Sequence, residues 1–134
     1  MANTTFTGPV RSENGFEQVT KNATTGAFTT SATYDATIIG GVQSLSGAGA
    51  VDLTNLITEL TTTGANALTL ADGTTSGQVK IVNMIVDGGD GTLTPVTFAN
   101  GTTITFDAVA ESATLVWNST IGWVATSVQG ATIA

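Results

Sequence analysis

The sequence predicts an all-β protein: an antiparallel β-sandwich or jelly-roll-like barrel that carries an extended N-terminal arm. Three observations support this prediction. Threonine, which is β-branched yet tolerates water, makes up about a fifth of the 134 residues. The stretch from Gly77 to Val128 contains five short runs that are rich in β-branched and aromatic residues. Turn residues separate these runs at the short, regular spacing that is typical of a sandwich or a barrel.

Residues 1–37 form a segment of different character, which we interpret as the N-terminal arm. This segment holds two of the three basic residues and several spaced aromatics, but too few apolar residues for a core of its own. Phe16 to Lys21 and Ala27 to Tyr34 are expected to pair as a hairpin across residues 22–26. Because two strands alone are marginal in water, we expect the arm to be ordered by docking on another surface. The alternative is a mobile terminus.

Residues 38–134 are expected to form the β-domain. The glycine- and serine-bearing stretch from Ile38 to Gly49 is interpreted as a connector. The next stretch, Val51 to Leu60, combines leucines at helical spacing with threonines that favour a strand, and we prefer the strand. Ala67 to Leu70 is a clearer short strand. With the five runs that follow, the β-domain is expected to contain seven or eight strands.

The five runs are predicted to be consecutive strands of an antiparallel module: Gln78 to Val86, Thr92 to Phe98, Thr102 to Phe106, Ala113 to Trp117 and Gly122 to Val128. The first run is nearly all apolar, which predicts a strand buried on both faces. Its one charged residue, Lys80, is expected to extend its ammonium group into water. Asn100-Gly101 predicts a tight hairpin with positive φ angles. Residues 118–122 predict a second turn between strands.

Alternation within the later runs predicts which side chains are buried. Ile104 and Phe106 share one face of their strand, with hydroxyl groups on the other face. By the same rule Ala113, Leu115 and Trp117 share a face. Trp117 and Trp123 stand six residues apart across a predicted hairpin, so we expect core or cross-strand partners. The alternative is an exposed platform that stacks on sugars, as in a carbohydrate-binding module.

The chain contains neither cysteine nor histidine. Thiol nucleophiles, Ser-His-Asp arrangements and the usual zinc ligands are therefore excluded. Most carboxylates of the β-domain fall at predicted turns, where aspartate is common for local hydrogen-bonding reasons. We expect no enzymatic activity, no catalytic residues, no cofactor and no metal site. Asp87 and Asp90 offer the oxygen ligands that calcium uses, but a turn explains the same residues, and both readings stay open.

Ten acidic residues against three basic ones give the chain a formal charge of −7. Nucleic-acid binding is therefore not expected, because phosphate backbones require a cationic surface. Binding to anionic membranes is disfavoured for the same reason. No apolar run approaches the length of a transmembrane helix, and the N-terminus lacks a signal-peptide pattern. We therefore expect a soluble protein without a visible export signal.

Most of the chain resembles small virion proteins of tailed phages, particularly marine and cyanophage-like ones. Thr4 to Gly26 (TTFTGPVRSENGFEQVTKNATTG) is similar to their N-terminal arm. Ala65 to Pro95 (ANALTLADGTTSGQVKIVNMIVDGGDGTLTP) and Thr102 to Ser127 (TTITFDAVAESATLVWNSTIGWVATS) are similar to their β-domain. Proteins of this type resemble capsid decoration, or cement, proteins, which sit as trimers on the outer surface of the head.

The resemblance implies a homotrimer whose arm bridges subunits of the major capsid protein and thereby stabilises the head. It carries over candidate capsid contacts but no catalytic residues. These contacts are Phe6, Pro9, Val10, Arg11, Phe16 and Val19. The main alternative is a head-fibre or tail-fibre module for host attachment, and a carbohydrate-binding module is a further one.

Overall fold

The computed structural model describes residues 16–34 and 41–134. The chain divides into two compact units, with the division between Ile39 and Gly40, two residues beyond the boundary expected from the sequence. Within the described ranges every regular element is a β-strand. No helix in these ranges is long and apolar enough to cross a membrane. The all-β prediction is therefore confirmed for the described residues.

In the first unit, β1 (Phe16–Lys21) and β2 (Phe28–Tyr34) pair antiparallel. The turn between them is built around Asn22, whose Oδ1 accepts hydrogen bonds from the backbone N–H groups of Thr24 and Thr25. This use of an asparagine side chain is a common way to close a turn. The hairpin predicted across residues 22–26 is confirmed, although β2 begins one residue later than expected.

Within residues 41–134 the structure has ten strands in two five-stranded sheets. They are β3 (Val42–Ser46), β4 (Gly49–Val51), β5 (Ile57–Thr61), β6 (Asn66–Leu70), β7 (Val79–Val86), β8 (Gly91–Pro95), β9 (Ile104–Phe106), β10 (Ser112–Asn118), β11 (Gly122–Gln129) and β12 (Thr132–Ile133). Sheet I has the strand order β11-β10-β7-β5-β3, and sheet II has the order β12-β9-β8-β6-β4. Each sheet therefore ends in two edge strands and does not close on itself.

From β3 to β8 the chain winds through three coils. Each coil places one strand in sheet I and the next in sheet II, and equivalent strands of successive coils pair in parallel. This is the topology of a short β-solenoid. The last four strands add to the two sheets by antiparallel pairing.

The sheets are thus mixed and open, so the purely antiparallel arrangement and the barrel expected from the sequence are wrong. The physical reason is that apolar and polar residues alternate in the same way in parallel and antiparallel strands. Strand direction depends instead on where each connection leads. The loop after β7, for example, carries the chain to sheet II rather than back along sheet I.

Both sheets contribute to one hydrophobic core, as expected for a two-layer β-structure. Alternation predicted the inward residues of two strands correctly, because Ile104 and Phe106 in β9 and Ala113, Leu115 and Trp117 in β10 are all buried. Within residues 41–134 the buried apolar residues are Val51, Leu60, Leu68, Leu70, Val82, Met84, Leu93, Ile104, Phe106, Ala113, Leu115, Trp117 and Trp123.

Several strand predictions need correction. Residues 41–134 form ten strands rather than the expected seven or eight, and the run from Thr92 to Phe98 is a strand only as far as Pro95. The stretch interpreted as a connector, Ile38 to Gly49, contains β3 and the first residue of β4. The strand preferred for Val51 to Leu60 exists only from Ile57, because residues 52–56 form a loop between the sheets. In β7, only one face is buried: Val79 and Ile85 on the other face are 37% and 45% exposed.

One of the two predicted turns is confirmed and the other is wrong in detail. β10 and β11 form a hairpin across residues 118–122, as expected. β8 and β9 also pair antiparallel, but the connection is a longer loop, and Gly101 does not adopt a positive φ. The C-terminus fixes this loop, since the N–H groups of Thr102 and Thr103 donate to the carbonyl oxygen of Ala134.

Candidate functional site

Two of the six predicted capsid contacts lie among the described residues. Phe6, Pro9, Val10 and Arg11 lie outside the described residues. Phe16 and Val19 lie in β1, where they pair with Tyr34 and Thr30 of β2, and the strand register shifts just before Val19. The capsid-binding role of these six residues stays a prediction.

Lys80 is the side chain whose position in the structure sequence reasoning missed. The prediction that its ammonium reaches water is wrong, because Lys80 is 1% exposed and points into the molecule. Nζ donates a hydrogen bond of 2.7 Å to the backbone carbonyl oxygen of Asn55. It also lies 3.5 Å from Oδ1 of Asp52. The inward position of Lys80 follows from strand alternation, which places it on the same face as Val82 and Met84.

The acceptors for Lys80 come from the loop at residues 52–56, which leads from β4 into β5. Asp52 Oδ1 accepts hydrogen bonds from the N–H groups of Thr54 and Asn55, at 3.1 and 2.8 Å. Its Oδ2 accepts a 2.7 Å hydrogen bond from Nδ2 of Asn55. The Asp52 side chain therefore organises the loop and holds the asparagine side chain in place.

Partial burial opposes ionisation of Asp52, but the backbone and side-chain hydrogen bonds from Asn55 and the charge of Lys80 together lower the pKa of Asp52 below 3.8. Burial lowers the pKa of Lys80, and the charge of Asp52 offsets part of this effect. The lysine is thus more readily deprotonated than an ordinary surface lysine. A buried amine next to a carboxylate is the most chemically distinctive group in the described part of the chain.

The carboxylates predicted at turns mainly serve local structure. Asp87 Oδ1 accepts a hydrogen bond from the N–H of Gly89, and Glu111 Oε2 accepts one from the N–H of Asp107. Asp72 Oδ2 accepts a hydrogen bond from the hydroxyl group of Thr97. Across residues 16–34 and 41–134, no three carboxylates are grouped in a way that could hold a metal ion. In the turn from Asp87 to Asp90, the N–H of Gly88 also donates to the hydroxyl oxygen of Thr62, and the calcium alternative for this turn stays a prediction.

Trp117 and Trp123 are cross-strand partners in the β10–β11 hairpin, as the preferred interpretation predicted. Their ring centroids lie 5.4 Å apart and their planes are tilted by 59°. Trp123 is fully buried and its indole N–H donates to the carbonyl oxygen of Ala71. Since Trp117 is also only 7% exposed, the pair does not form an open platform for sugars.

The outward face of sheet I carries a continuous apolar row that crosses all five strands. Strand pairing aligns Val42 with Ile57 and Ile81, and it aligns Val79 with Val116 and Val124. The two groups are connected because Val79 and Ile81 share one face of β7. We call them the apolar row: Val42, Ile57, Val79, Ile81, Val116 and Val124. Val42 is 46% exposed. Parallel sheets are ordinarily covered on both faces, and the described part of the chain leaves this row accessible.

The outward face of sheet II is different in chemistry. It presents mainly threonine and alanine side chains, including Thr69, Thr94 and Ala67. This face carries no charge, whereas the outward face of sheet I carries Glu59 beside the apolar row, two residues after Ile57 in β5. The accessible charge of residues 41–134 comes from carboxylates alone, because these residues contain seven acids and one base, and the base is the buried Lys80.

Comparison with known proteins gives no further identification. No protein-family model matches the chain, and no curated protein matches its sequence. The fold therefore defines the chain no further than a two-sheet β-protein with a separate N-terminal unit.

Proposed function

We propose that this chain is a structural protein of a phage particle that decorates the outer surface of the head. In this proposal the N-terminal arm bridges subunits of the major capsid protein. The observation that carries it is the division of the chain into a small first unit and a larger second unit, together with the resemblance of Thr4 to Gly26 to phage decoration arms. Capsid contacts are assigned to Phe6, Pro9, Val10, Arg11, Phe16 and Val19.

The charge distribution supports an arm that binds the capsid and a body, residues 40–134, that faces solvent. Residues 40–134 have a formal charge of −6, whereas residues 1–39 are close to neutral and contain Arg11 and Lys21. An anionic, threonine-rich surface resists aggregation when many copies are crowded on one particle. Arg11 is suited to a salt bridge with a carboxylate of a partner.

We propose further that the chain assembles as a homotrimer, with the apolar row of sheet I covered by neighbouring copies. Copies with a charge of −6 in the body repel each other wherever their carboxylates meet. Copies can approach through surfaces without carboxylates, which are the outward face of sheet II and the apolar row, although Glu59 lies beside that row on sheet I. Burial is favourable only where such a surface is apolar. Contact through the apolar row satisfies both conditions.

The mechanism follows from mass action. An arm that binds the expanded, DNA-filled shell and not the earlier form stabilises the expanded form by RT ln(1 + [L]/Kd). Here [L] is the concentration of the free protein and Kd is its dissociation constant from the expanded shell. Three arms on one trimer act together, so that each bound arm raises the effective concentration of the other two. Weak individual contacts are then sufficient for stable decoration.

A head-fibre or tail-fibre module is the second candidate function, and the three parallel coils favour it. Coiled β-architectures stack repeats along one axis and form extended structures, which suits a fibre. In that case the arm would anchor the chain at a vertex or on the tail. A carbohydrate-binding role is less well supported, because both tryptophans are buried.

Copy number distinguishes the two candidates. Quantitative mass spectrometry of purified particles is expected to find hundreds of copies if the protein decorates the capsid lattice, and a few dozen or fewer if it forms fibres. The difference is expected because a symmetric capsid lattice repeats a decoration site at every equivalent position, whereas fibres occupy only vertices or the tail. Absence of the chain from purified particles would contradict both.

A binding experiment tests the arm itself. Full-length protein is mixed with empty, expanded heads, and the bound fraction is measured by co-sedimentation. Arg11→Glu and a Phe6→Ala, Phe16→Ala double variant are expected to weaken binding at least tenfold, because aromatic and arginine anchors dominate interfaces. Val96→Ala, a change at an exposed valine of the body, serves as the matched control. Equal binding by all four proteins would contradict the arm assignment.

A further inference from the structure

Lys80, Asp52 and Asn55 place a buried primary amine, a carboxylate and a carboxamide in contact. The carboxylate of Asp52 touches both of the other groups. Its Oδ1 lies 3.5 Å from Nζ of Lys80, and its Oδ2 accepts a 2.7 Å hydrogen bond from Nδ2 of Asn55. The amine in turn donates to the backbone carbonyl oxygen of the same asparagine, at 2.7 Å. A carboxylate thus connects an amine to an amide nitrogen.

We propose that Lys80 and Asn55 form an intramolecular isopeptide bond, with Asp52 as the group that transfers the proton. The lone pair of the neutral amine attacks Cγ of Asn55, and a bond forms between Nζ and Cγ. Asp52 takes the proton that the attacking nitrogen releases and delivers it to Nδ2. The Cγ–Nδ2 bond then breaks and ammonia leaves. Asp52 ends in the state in which it began, and no oxidant or other reactant is consumed.

The surroundings of the three residues support this reaction. The nucleophile must be the neutral amine, and burial lowers the pKa of Lys80. Lys80 is 1% exposed, so the attacking amine is withdrawn from water, while Asn55, which carries the acyl carbon, is half-buried. The hydrogen bonds of Asp52 hold both oxygens in fixed positions, which is the pre-organisation that proton transfer requires.

The position of the bond in the fold gives it a structural role. Lys80 lies in β7, and Asn55 lies in the loop that leads into β5, the strand beside β7. The backbone hydrogen bond from the N–H of Ile81 to the carbonyl oxygen of Leu56 holds these two segments together. The bond would link residues 25 positions apart in the chain and join two coils covalently. A chain without cysteine would thereby gain a cross-link that resists reduction.

The intact mass of the purified full-length chain tests the proposal. We expect the wild-type mass to be lower than the sequence mass by one ammonia. Digestion after denaturation gives an independent reading, since trypsin cleaves after Arg11, Lys21 and Lys80 in an unmodified chain. With Nζ acylated, cleavage after Lys80 is blocked, and residues 22–134 are recovered as a single fragment.

Lys80→Arg is the control, because it keeps the positive charge and the cleavage site but cannot form the bond. This variant is expected to have its full sequence mass and to be cut after residue 80. Asp52→Ala is also expected to have its full sequence mass, with no loss of ammonia. An unmodified wild-type mass with cleavage after Lys80 overturns the proposal. An ammonia loss that persists in Lys80→Arg also overturns the proposal, because it would come from the Asn14-Gly15 or Asn100-Gly101 sequences. A loss of water instead of ammonia overturns it as well, because it would place the bond at Asp52.

Discussion

Gly73 is the residue at which the backbone lies directly against an aromatic ring. A Cβ atom added there would lie 2.3 Å from Cγ of Trp117 and 2.7 Å from its Cβ. These atoms are at the base of the side chain and cannot swing away, because Trp117 is itself packed against Trp123. We expect Gly73→Ala to lower the free energy of unfolding by about 1–3 kcal/mol through overpacking. Urea unfolding followed by tryptophan fluorescence measures the change.

Thr75→Ala is the matched control for this prediction. Thr75 lies in the same loop with an exposed side chain, so its replacement is expected to change the free energy of unfolding by no more than about 0.5 kcal/mol. Equal losses in the two variants would show that the loop, rather than the contact between Gly73 and Trp117, sets the stability.

The ionisation of Asp52 makes the free energy of unfolding depend on pH in the acidic range. Its pKa in the folded chain lies below the ordinary value of 3.8, so the unfolded state binds a proton more readily than the folded state. The stabilisation from the ionised carboxylate is therefore complete above about pH 4 and is lost as the pH falls through the folded-state pKa. Since the Asp52 side chain is 32% exposed, the effect is modest. We expect the difference in unfolding free energy between wild type and Asp52→Asn to shrink as the pH falls below about 4, which is the unperturbed carboxyl pKa. A difference that stays constant with pH would contradict this assignment.

Lys80 shows why its buried cluster with Asp52 and Asn55 could not be predicted from the sequence residue by residue. Strand alternation gives the inward direction of the side chain, but the usual tendency of lysine to reach water favours the opposite expectation. Burial becomes tolerable only because Asp52 and the carbonyl oxygen of Asn55 meet the ammonium group. These acceptors come from a loop about 25 residues earlier in the sequence, and no local pattern connects them to β7.

Gln43 ties β3 to its neighbours through a single side chain. Its Nε2 donates to the carbonyl oxygen of Ala50 at 2.8 Å. Its Oε1 accepts hydrogen bonds from the hydroxyl group of the buried Thr58 and from the N–H of Asp52, both at 2.9 Å. We expect Gln43→Ala to lower the free energy of unfolding by about 2–4 kcal/mol, since two donors and one acceptor lose their partner. Chemical denaturation gives the value.

Ser44 is the natural comparison on the same strand. It is the next residue of β3 and lies on the exposed face. Ser44→Ala is expected to be nearly neutral, within about 0.5 kcal/mol. A neutral Gln43→Ala would mean that the edge strand β3 contributes little to global stability. That result would contradict the role given to its side-chain hydrogen bonds.

At the level of elements, the sequence predicts strands well where alternation is complete. β9 and β10 alternate residue by residue between core and surface, and their inward residues were predicted correctly. β3 was missed because its sequence, VQSLS, contains two serines and a glutamine and is flanked by glycines. Its strand conformation comes from pairing with β5 in parallel register. That pairing is tertiary information, which local propensity does not contain.

At the level of the whole molecule, the winding of the chain could not be predicted from local patterns. A short glycine-containing segment such as residues 47–48 resembles a hairpin turn in sequence. In the structure this segment leads from sheet I to sheet II, so the two flanking strands do not pair. The joint burial of both sheets in one core, to which every coil contributes, decides whether such a segment forms a hairpin or leads to the other sheet. The role proposed for the arm residues depends on a partner protein, so local sequence patterns cannot predict it either.

Assembly of copies through the apolar row is the prediction that belongs to the whole molecule. We expect sedimentation analysis to find the full-length chain as an oligomer. Association is expected to strengthen with salt, because screening reduces repulsion between bodies of charge −6 while apolar contact persists. An Ile57→Thr, Ile81→Thr double variant keeps β-branched side chains on β5 and β7, so the strands are retained and the apolar contact is lost. This variant is expected to sediment as a monomer at all salt concentrations.

Ala67→Thr provides the control on the opposite sheet. It also adds a hydroxyl group at an exposed, outward position of a parallel strand, but it lies on the threonine-rich face and should leave association unchanged. A shift to monomer in this control as well would indicate that any outward change disturbs assembly. A wild-type chain that stays monomeric even at high salt would contradict self-association through the apolar row. In that case the row would have to be covered by a different protein, and the strengthening of binding by three linked arms would no longer apply.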